Sequence, residues 1–157
     1  MKNFFIITAI VVASLLYFPN EESLKVKFEK NFLIGATINQ EDYQIVDKDV
    51  KAIEIVQKDF NAVTPENSMK WMHIHPEFNE FTFSNADKIV DFAKENDMYL
   101  LGHTLVWHNQ VPDYIYNIKD KNTFQKHIQK HISTVVKRYQ GKVDMWDVVN
   151  EALNDDG

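Results

Sequence analysis

Three short segments collect the residue types that chemistry on a hydroxyl-rich substrate would use. Trp146-Asp147-Val148-Val149-Asn150-Glu151 ends an apolar run on an amide and a carboxylate. Thr64-Pro65-Glu66-Asn67-Ser68-Met69-Lys70-Trp71 offers a carboxylate, an amide, an ammonium and an indole. His103-Thr104-Leu105-Val106-Trp107-His108-Asn109-Gln110 adds two imidazoles, a second indole and two amides. Amides and carboxylates exchange hydrogen bonds with vicinal hydroxyls, and aromatic faces pack on the apolar faces of sugar rings. Cleaving a glycosidic bond uses two carboxyl groups, one of them protonated so that it can donate to the leaving oxygen. A Glu that emerges from an apolar strand beneath Trp and amide side chains is partly desolvated, which favours the protonated acid. Glu151 is therefore the candidate acid, and Asn150 beside it can bond a hydroxyl next to the scissile link. Asp147 stands four residues earlier on the same face, deeper in the strand, where a supporting hydrogen bond suits it better than catalysis. Any one of these residues has a plainer use, since a strand-end Glu often caps a helix and a lone Trp usually fills a core. Three polar-aromatic clusters in one chain are harder to assign to packing alone.

Positioning such clusters requires a scaffold, and the hydrophobic pattern supplies one. Phe32 to Ala36 is a short apolar run predicted as a strand, followed by a helix with Val46, Val50, Ile53 and Val56 on its inner face. Phe60 to Thr64 is a second strand, stopped by Pro65. Ser84 with Asp87 three residues on resembles a capping box and opens a helix whose inward face holds Ile89, Val90, Phe92 and Ala93. Met98 to Thr104 is a third strand. A long helix follows, with Asn122 and Gln125 as capping residues and Phe124, Ile128, Ile132, Val135, Val136 and Tyr139 as its apolar stripe. Gly141 ends it where a left-handed residue is needed. Val143 to Asn150 is a fourth strand. Strands alternating with helices imply parallel pairing and right-handed crossovers, so the three clusters fall at successive C-terminal strand ends. Active sites of parallel α/β folds form on that rim. A small doubly wound sheet and the first half of a (β/α)8 barrel both fit this order.

Composition narrows the partners. The 157 residues carry 17 Lys and Arg against 23 Asp and Glu, a net charge of -6 with no basic block, which argues against nucleic acid. With no cysteine, thiolate metal sites, disulfides and Cys nucleophiles are excluded. Lys2 followed by an apolar run from Phe4 to Phe18 reads as a secretory signal or an N-terminal membrane tether, so residues 1–20 are set apart from the fold. The rest is expected outside the cytoplasm, meeting a membrane through that tether alone. A complete (β/α)8 barrel takes about 250 residues, more than this chain provides.

The segments Phe32 to Ala36, Val63 to Trp71, Gly102 to His108 with Gln110 and Pro112, and Trp146 to Glu151 together resemble glycoside hydrolase family 10, the endo-β-1,4-xylanases. They follow the family's order and spacing through residues 21–157. Leu101 stands where an Arg is frequent before Gly-His, and Tyr114 where a Trp is common. The resemblance implies the fold class α/β, as the N-terminal half of a (β/α)8 barrel, and a retaining double displacement on xylan or xylo-oligosaccharides. It makes Glu151 the acid/base. Glu66, Asn67, Lys70 and Gln110 would bind sugar hydroxyls on the non-reducing side of the cut. His103, Trp107 and Asn150 would line the subsite where the bond breaks, with His108 and Asp147 supporting them. No metal or cofactor is implied, and the full-length enzyme is expected to be monomeric.

The family's nucleophile is a second strand-end Glu further along than Gly157. Strands two apart hold their backbones roughly 10 Å from one another, against carboxyls about 5–5.5 Å apart in retaining catalysis. Side chains leaning inward could close that gap, so geometry does not forbid Glu66 as the nucleophile, and it is the resemblance that assigns it to binding. The expectation is thus a chain with negligible xylanase activity alone, exposing open sheet edges and tending to self-associate. Three other readings compete with this one. His73-Ile74-His75 invites a metal-dependent hydrolase, although the pair falls in a loop before a helix, next to Pro76, and not at a strand end. A non-catalytic sugar-binding module explains aromatics and amides but has no use for Asn150-Glu151. Barrel glycosidases acting on mannan or cellulose share that pair, whereas the Glu66–Trp71 and His103–His108 blocks favour xylan.

Overall fold

The computed structural model describes residues 22–38 and 50–153. The expected leader at residues 1–20, and Val46 of the first long helix, lie outside the described residues. Four parallel strands run in the order β1 (Gly35–Ile38), β2 (Ala62–Pro65), β3 (Tyr99–Gly102), β4 (Met145–Trp146). Between them lie α2 (Val50–Asp59), α3 (Trp71–Ile74), α4 (Ser84–Glu95), α5 (Asp113–Tyr116) and α6 (Lys121–Arg138), after a single opening turn α1 (Leu24–Lys27). Register is in step: Gly35 faces Ala62, Ala62 faces Tyr99, and Leu101 faces Met145. The architecture is that of a partial (β/α)8 barrel.

The paired parts of the strands are shorter than the apolar runs. Phe32 and Leu33 precede β1 and are exposed, with Phe32 stacked on Phe28 at 5.0 Å in the turn after α1. β1 starts instead where the Asn61 side chain accepts from Ile34 N at 2.7 Å and fixes the entry into the sheet. Past β4, Val149 bridges Val106, and Val106 N donates to the Val148 carbonyl at 3.0 Å, so the chain stays strapped to the segment after β3. Met145, Val148, Val149 and Leu153 are exposed.

The core forms where α4 and α6 cover the sheet. Ala86, Ile89, Val90 and Ala93 of α4 meet Val63, Leu100, Val135 and Tyr139. The N-cap of α4 is Phe83, not Ser84, and Asp87 is drawn elsewhere. It pairs with Arg138 and accepts from Tyr139 Oη at 3.0 Å, clasping α4 to the end of α6. Burial opposes the Asp87 carboxylate, but the bonds from Arg138 and Tyr139 outweigh it and hold its pKa below the usual value. Helix α6 is capped by Asp120, whose side chain accepts from Thr123 N at 2.7 Å, and not by Asn122 or Gln125. Its buried face reads His127, His131, Val135, while Phe124 is exposed. Gly141 adopts φ +72°, the left-handed conformation expected after the helix.

One glycine is demanded by packing. A Cβ on Gly102 would stand 2.4 Å from two ring carbons of Trp146, its neighbour across the β3–β4 ladder. Only a bare backbone lets that indole lie over β3, directly under the rim.

Candidate active site

Parallel pairing brings the three polar segments to one end of the sheet. Glu66 follows β2 at once, its N–H bonded to the Ile38 carbonyl at 2.9 Å and its side chain exposed. Asn67 Oδ1 accepts from Lys70 Nζ at 3.0 Å and from Gln110 Nε2 at 3.5 Å, linking the segment after β2 to that after β3. Gln110 Oε1 lies 3.3 Å from His73 Nε2. Lys70 is buried, and its ammonium sits 4.8 Å from the centre of the Trp107 ring. Burial pulls the Lys70 pKa below the usual lysine value, while the charges of Glu66 and Glu151 act in the opposite sense.

Beyond Trp107 stands the end of β4. Trp107 Nε1 donates to Glu151 Oε2 at 2.7 Å, a charge-assisted bond when the carboxyl is ionised. His108 Nε2 is 3.7 Å from the same oxygen. His103 Nδ1 lies 3.0 Å from Asp147 Oδ2, so the deeper carboxylate of β4 faces the imidazole of β3. Asn150 is half-buried, and its N–H donates to the Val106 carbonyl at 2.9 Å. Glu151, Asn150 and Trp107 also border an apolar groove of about 590 Å³ that reaches Tyr116 and Phe124. Gln110 and Glu151 take φ +49° and +50°, a region that costs a residue with a Cβ about 1–2 kcal/mol. Local strain of this kind collects at functional sites.

The Glu151 side chain is 55% exposed, so the desolvation inferred from its apolar strand is absent from this arrangement. The strand residues that were to bury it, Val148 and Val149, are themselves exposed. The carboxyl nevertheless points across the rim to Trp107 and His108, not away from the groove.

Two aromatic residues beneath the rim have a supporting role that the sequence does not specify. Trp71 is buried and donates its indole N–H to Tyr114 Oη at 3.1 Å, and Tyr114 Oη donates to the His75 carbonyl at 3.4 Å. Trp71 was visible only as the end of a motif, and Tyr114 only as a departure from one. The His73-Ile74-His75 pair splits: His73 lies in α3, and buried His75 stacks on Phe81 at 3.9 Å with Nε2 at 3.2 Å from the Phe78 carbonyl. Among the described residues no three acidic or His side chains are grouped to hold a metal.

Carboxylates, amides and indoles thus gather at the C-terminal ends of parallel barrel strands, the rim on which the active sites of this architecture form. Comparison with known proteins agrees. The family model for glycosyl hydrolase family 10 matches residues 23–157. The chain is 43% identical to endo-1,4-beta-xylanase B of Thermotoga neapolitana over 136 residues, 85% of this chain and 39% of that protein. It is 44% identical to a beta-1,4-xylanase of Dictyoglomus thermophilum over 133 residues, 85% of this chain and 36% of that protein. The crystal structure of native xylanase 10B from Thermotoga maritima superposes with a TM-score of 0.81 at 44% identity, covering 86% of this chain and 42% of that one. Xylanase 10B from Thermotoga petrophila, solved in complex with xylobiose, gives 0.79 at 44% identity over 85% of this chain and 41% of that one. The chain belongs to glycosyl hydrolase family 10, and it spans about two fifths of the length of these relatives.

Proposed function

We propose that this chain supplies the glycone-binding wall and the acid/base of an endo-β-1,4-xylanase. Glu66, Asn67, Lys70 and Gln110 bind hydroxyls of the xylose units on the non-reducing side of the cut. His103, Trp107 and Asn150 line the subsite at the scissile bond, with Asp147 orienting His103 and His108 lying beside the acid. Glu151 protonates the departing xylosyl oxygen and then deprotonates the water that resolves the glycosyl-enzyme. The nucleophile comes from a strand outside these 157 residues, so the chain alone binds sugar and does not turn it over. We assign residues 1–20 to export or tethering and residues 21–157 to the catalytic domain, working outside the cytoplasm. The xylobiose complex of the Thermotoga petrophila relative supports a xylo-oligosaccharide as the ligand.

The observation that carries this reading is the continuous polar chain Lys70–Asn67–Gln110 joined through the Trp107 ring to Glu151. Titrating the chain with xylotriose and following the indole N–H resonances tests it. Trp107 should shift on binding, and the chain should release no reducing sugar from xylan. Perturbations confined to other surfaces, or turnover at an ordinary enzymatic rate, would overturn the assignment.

A further inference from the structure

The face of α6 beneath the rim carries histidines where aliphatic residues were expected. His131 is fully buried; its ring lies parallel to Trp71 at 4.1 Å, and its Nε2 is 3.1 Å from the Leu105 carbonyl. A carbonyl only accepts, so Nε2 carries the proton and the neutral ring keeps its lone pair on Nδ1. Both contacts end on the wall, since Trp71 follows Lys70 and Leu105 stands two residues before Trp107. We propose that His131 is a positioning residue of the sugar-binding wall. Its neutral ring holds the Lys70–Trp71 segment by stacking and the His103–Trp107 segment by its Nε2–H bond to Leu105, and so sets the approach of Lys70 to Trp107. The role assigned to the wall rests on the functional reading above.

The other attachments of the two segments make room for this role. Leu105 N and Thr104 Oγ1 both donate to the Asp147 carbonyl, at 3.0 and 3.1 Å, and Val106 N donates to Val148. Those bonds tie the segment to the β4 side. His131 ties it to the helix layer. Trp71 is held at its edge by Tyr114 and on its face by His131. Losing the imidazole N–H deprives a buried carbonyl of its donor and frees one side of the segment that carries Trp107.

Only the neutral ring fits. His75, at the end of α3, lies parallel to His131 at 5.7 Å and spends its own Nε2 on the Phe78 carbonyl. Tyr114 of α5 packs on His75 at 5.5 Å, and His127, one turn back on α6, packs on Tyr114 at 6.1 Å. The charges that act on the pair are cationic: Lys130 and His127 on His75, and His75 on His131. The Nδ1 atoms of His75, His127 and His131 are buried without a protein partner, so a proton placed there gains no acceptor. Burial above all, and then His75, hold the His131 pKa down to about 3.

The test uses the whole chain with 15N-labelled histidine. Long-range proton–nitrogen spectra should show His131 as the Nε2–H tautomer and neutral between about pH 7 and pH 5. His131→Phe keeps a flat ring against Trp71 without the N–H, whereas His131→Gln restores an N–H within reach of Leu105. Phe should move the Trp107 indole resonance, speed amide exchange at Leu105 and Val106, and weaken xylotriose binding by about tenfold. Gln should return all three towards the parent chain, a rescue that lost volume alone does not give. An Nδ1–H or protonated ring at pH 6, an unmoved Trp107 in the Phe variant, or equal disturbance by Phe and Gln overturns the proposal. If the Phe variant does not fold, the tautomer in the parent chain decides. A parent chain that binds no xylotriose would sink the sugar reading, while the tautomer and the Gln rescue still judge His131.

Discussion

Gly102→Ala adds one methyl group at the point where β3 and β4 carry the rim. Its Cβ would meet Trp146 Cε3 and Cζ3 at 2.4 Å and Cδ2 at 2.9 Å. Reaching the 3.4 Å at which ordinary contact begins requires the indole or the strand to move by about 1 Å. Trp146 has little freedom to give, because it packs on the core and against Tyr139, with ring centres 6.4 Å apart. Overpacking of this kind costs about 1–3 kcal/mol, against which the stiffer unfolded chain returns about 0.4–1 kcal/mol. At the middle of both ranges the net loss is about 1.3 kcal/mol, or about 3–5 °C in Tm for a chain of this size. Gly35→Ala is the internal control. Its Cβ would sit 3.7 Å from Ala62 Cβ, an ordinary contact, so that substitution should be neutral or stabilising by a few tenths of a kcal/mol. Urea melts of both variants followed by circular dichroism measure the difference. The Gly102 carbonyl also accepts from Asp147 N at 3.0 Å, so the shift should reach the His103–Asp147 pair and appear in the His103 ring resonances. If Gly102→Ala proved as stable as Gly35→Ala, the argument that Trp146 requires a glycine would fail.

Two further outcomes follow from the same contacts. His131 has a folded pKa of about 3 against an ordinary 6.5, so below pH 6.5 the unfolded chain takes up a proton that the folded chain refuses. Stability should be level above pH 6.5 and fall by about 1.4 kcal/mol per pH unit on acidification towards pH 5, with His75, also lowered, steepening the slope. Denaturant melts across that range check it, and a flat profile refutes it. In a protein that joins this chain to the remaining barrel strands, Glu151→Gln should slow glycosylation sharply for substrates with poor leaving groups. Aryl xylosides with good leaving groups should suffer much less in that step, since they need little acid assistance. Equal losses on both, measured in the pre-steady state, would argue against Glu151 as the acid.

Much of the architecture was legible because it depends on alternation. Four apolar runs separated by amphipathic stretches admit few arrangements other than parallel βα units, and strand-end motifs then land on one rim without further information. What hydrophobic counting missed was partnered polarity. The expected α6 stripe of Phe124, Ile128, Ile132, Val135, Val136 and Tyr139 holds at Val135 and Tyr139, which are buried, but Phe124 is exposed and His127 and His131, four residues apart on one face, share the buried positions. The His131 N–H is met by the Leu105 carbonyl, which comes from a segment 26 residues away and which no local pattern reveals. Asp87 was misread for the same reason: a local capping role was assigned to a carboxylate whose partners, Arg138 and Tyr139, lie some fifty residues on. The first strand is overextended at Phe32 and Leu33, which are exposed before β1 begins, whereas Val148 and Val149 leave the regular ladder but stay bonded to Val106.

The wall has an order that does not depend on the reaction. Asn67 to Gln110, Lys70 to the Trp107 ring, Trp107 to Glu151 and His103 to Asp147 all close between segments after β2, β3 and β4, within the chain itself. Each joins different strand ends or fixes a cation against a ring, so together they hold the donors and acceptors at fixed spacing before any sugar arrives. Preorganisation of this kind lowers the cost of ordering side chains on binding. Under the proposed function, glycone recognition and bond cleavage would separate physically: the first would draw on contacts closed within these residues, the second on a further carboxyl presented across the groove. A ligand spanning only non-reducing-side subsites should lose little affinity on Glu151→Gln, whereas Asn67→Ala removes the acceptor shared by Lys70 and Gln110 and should weaken that ligand by about tenfold.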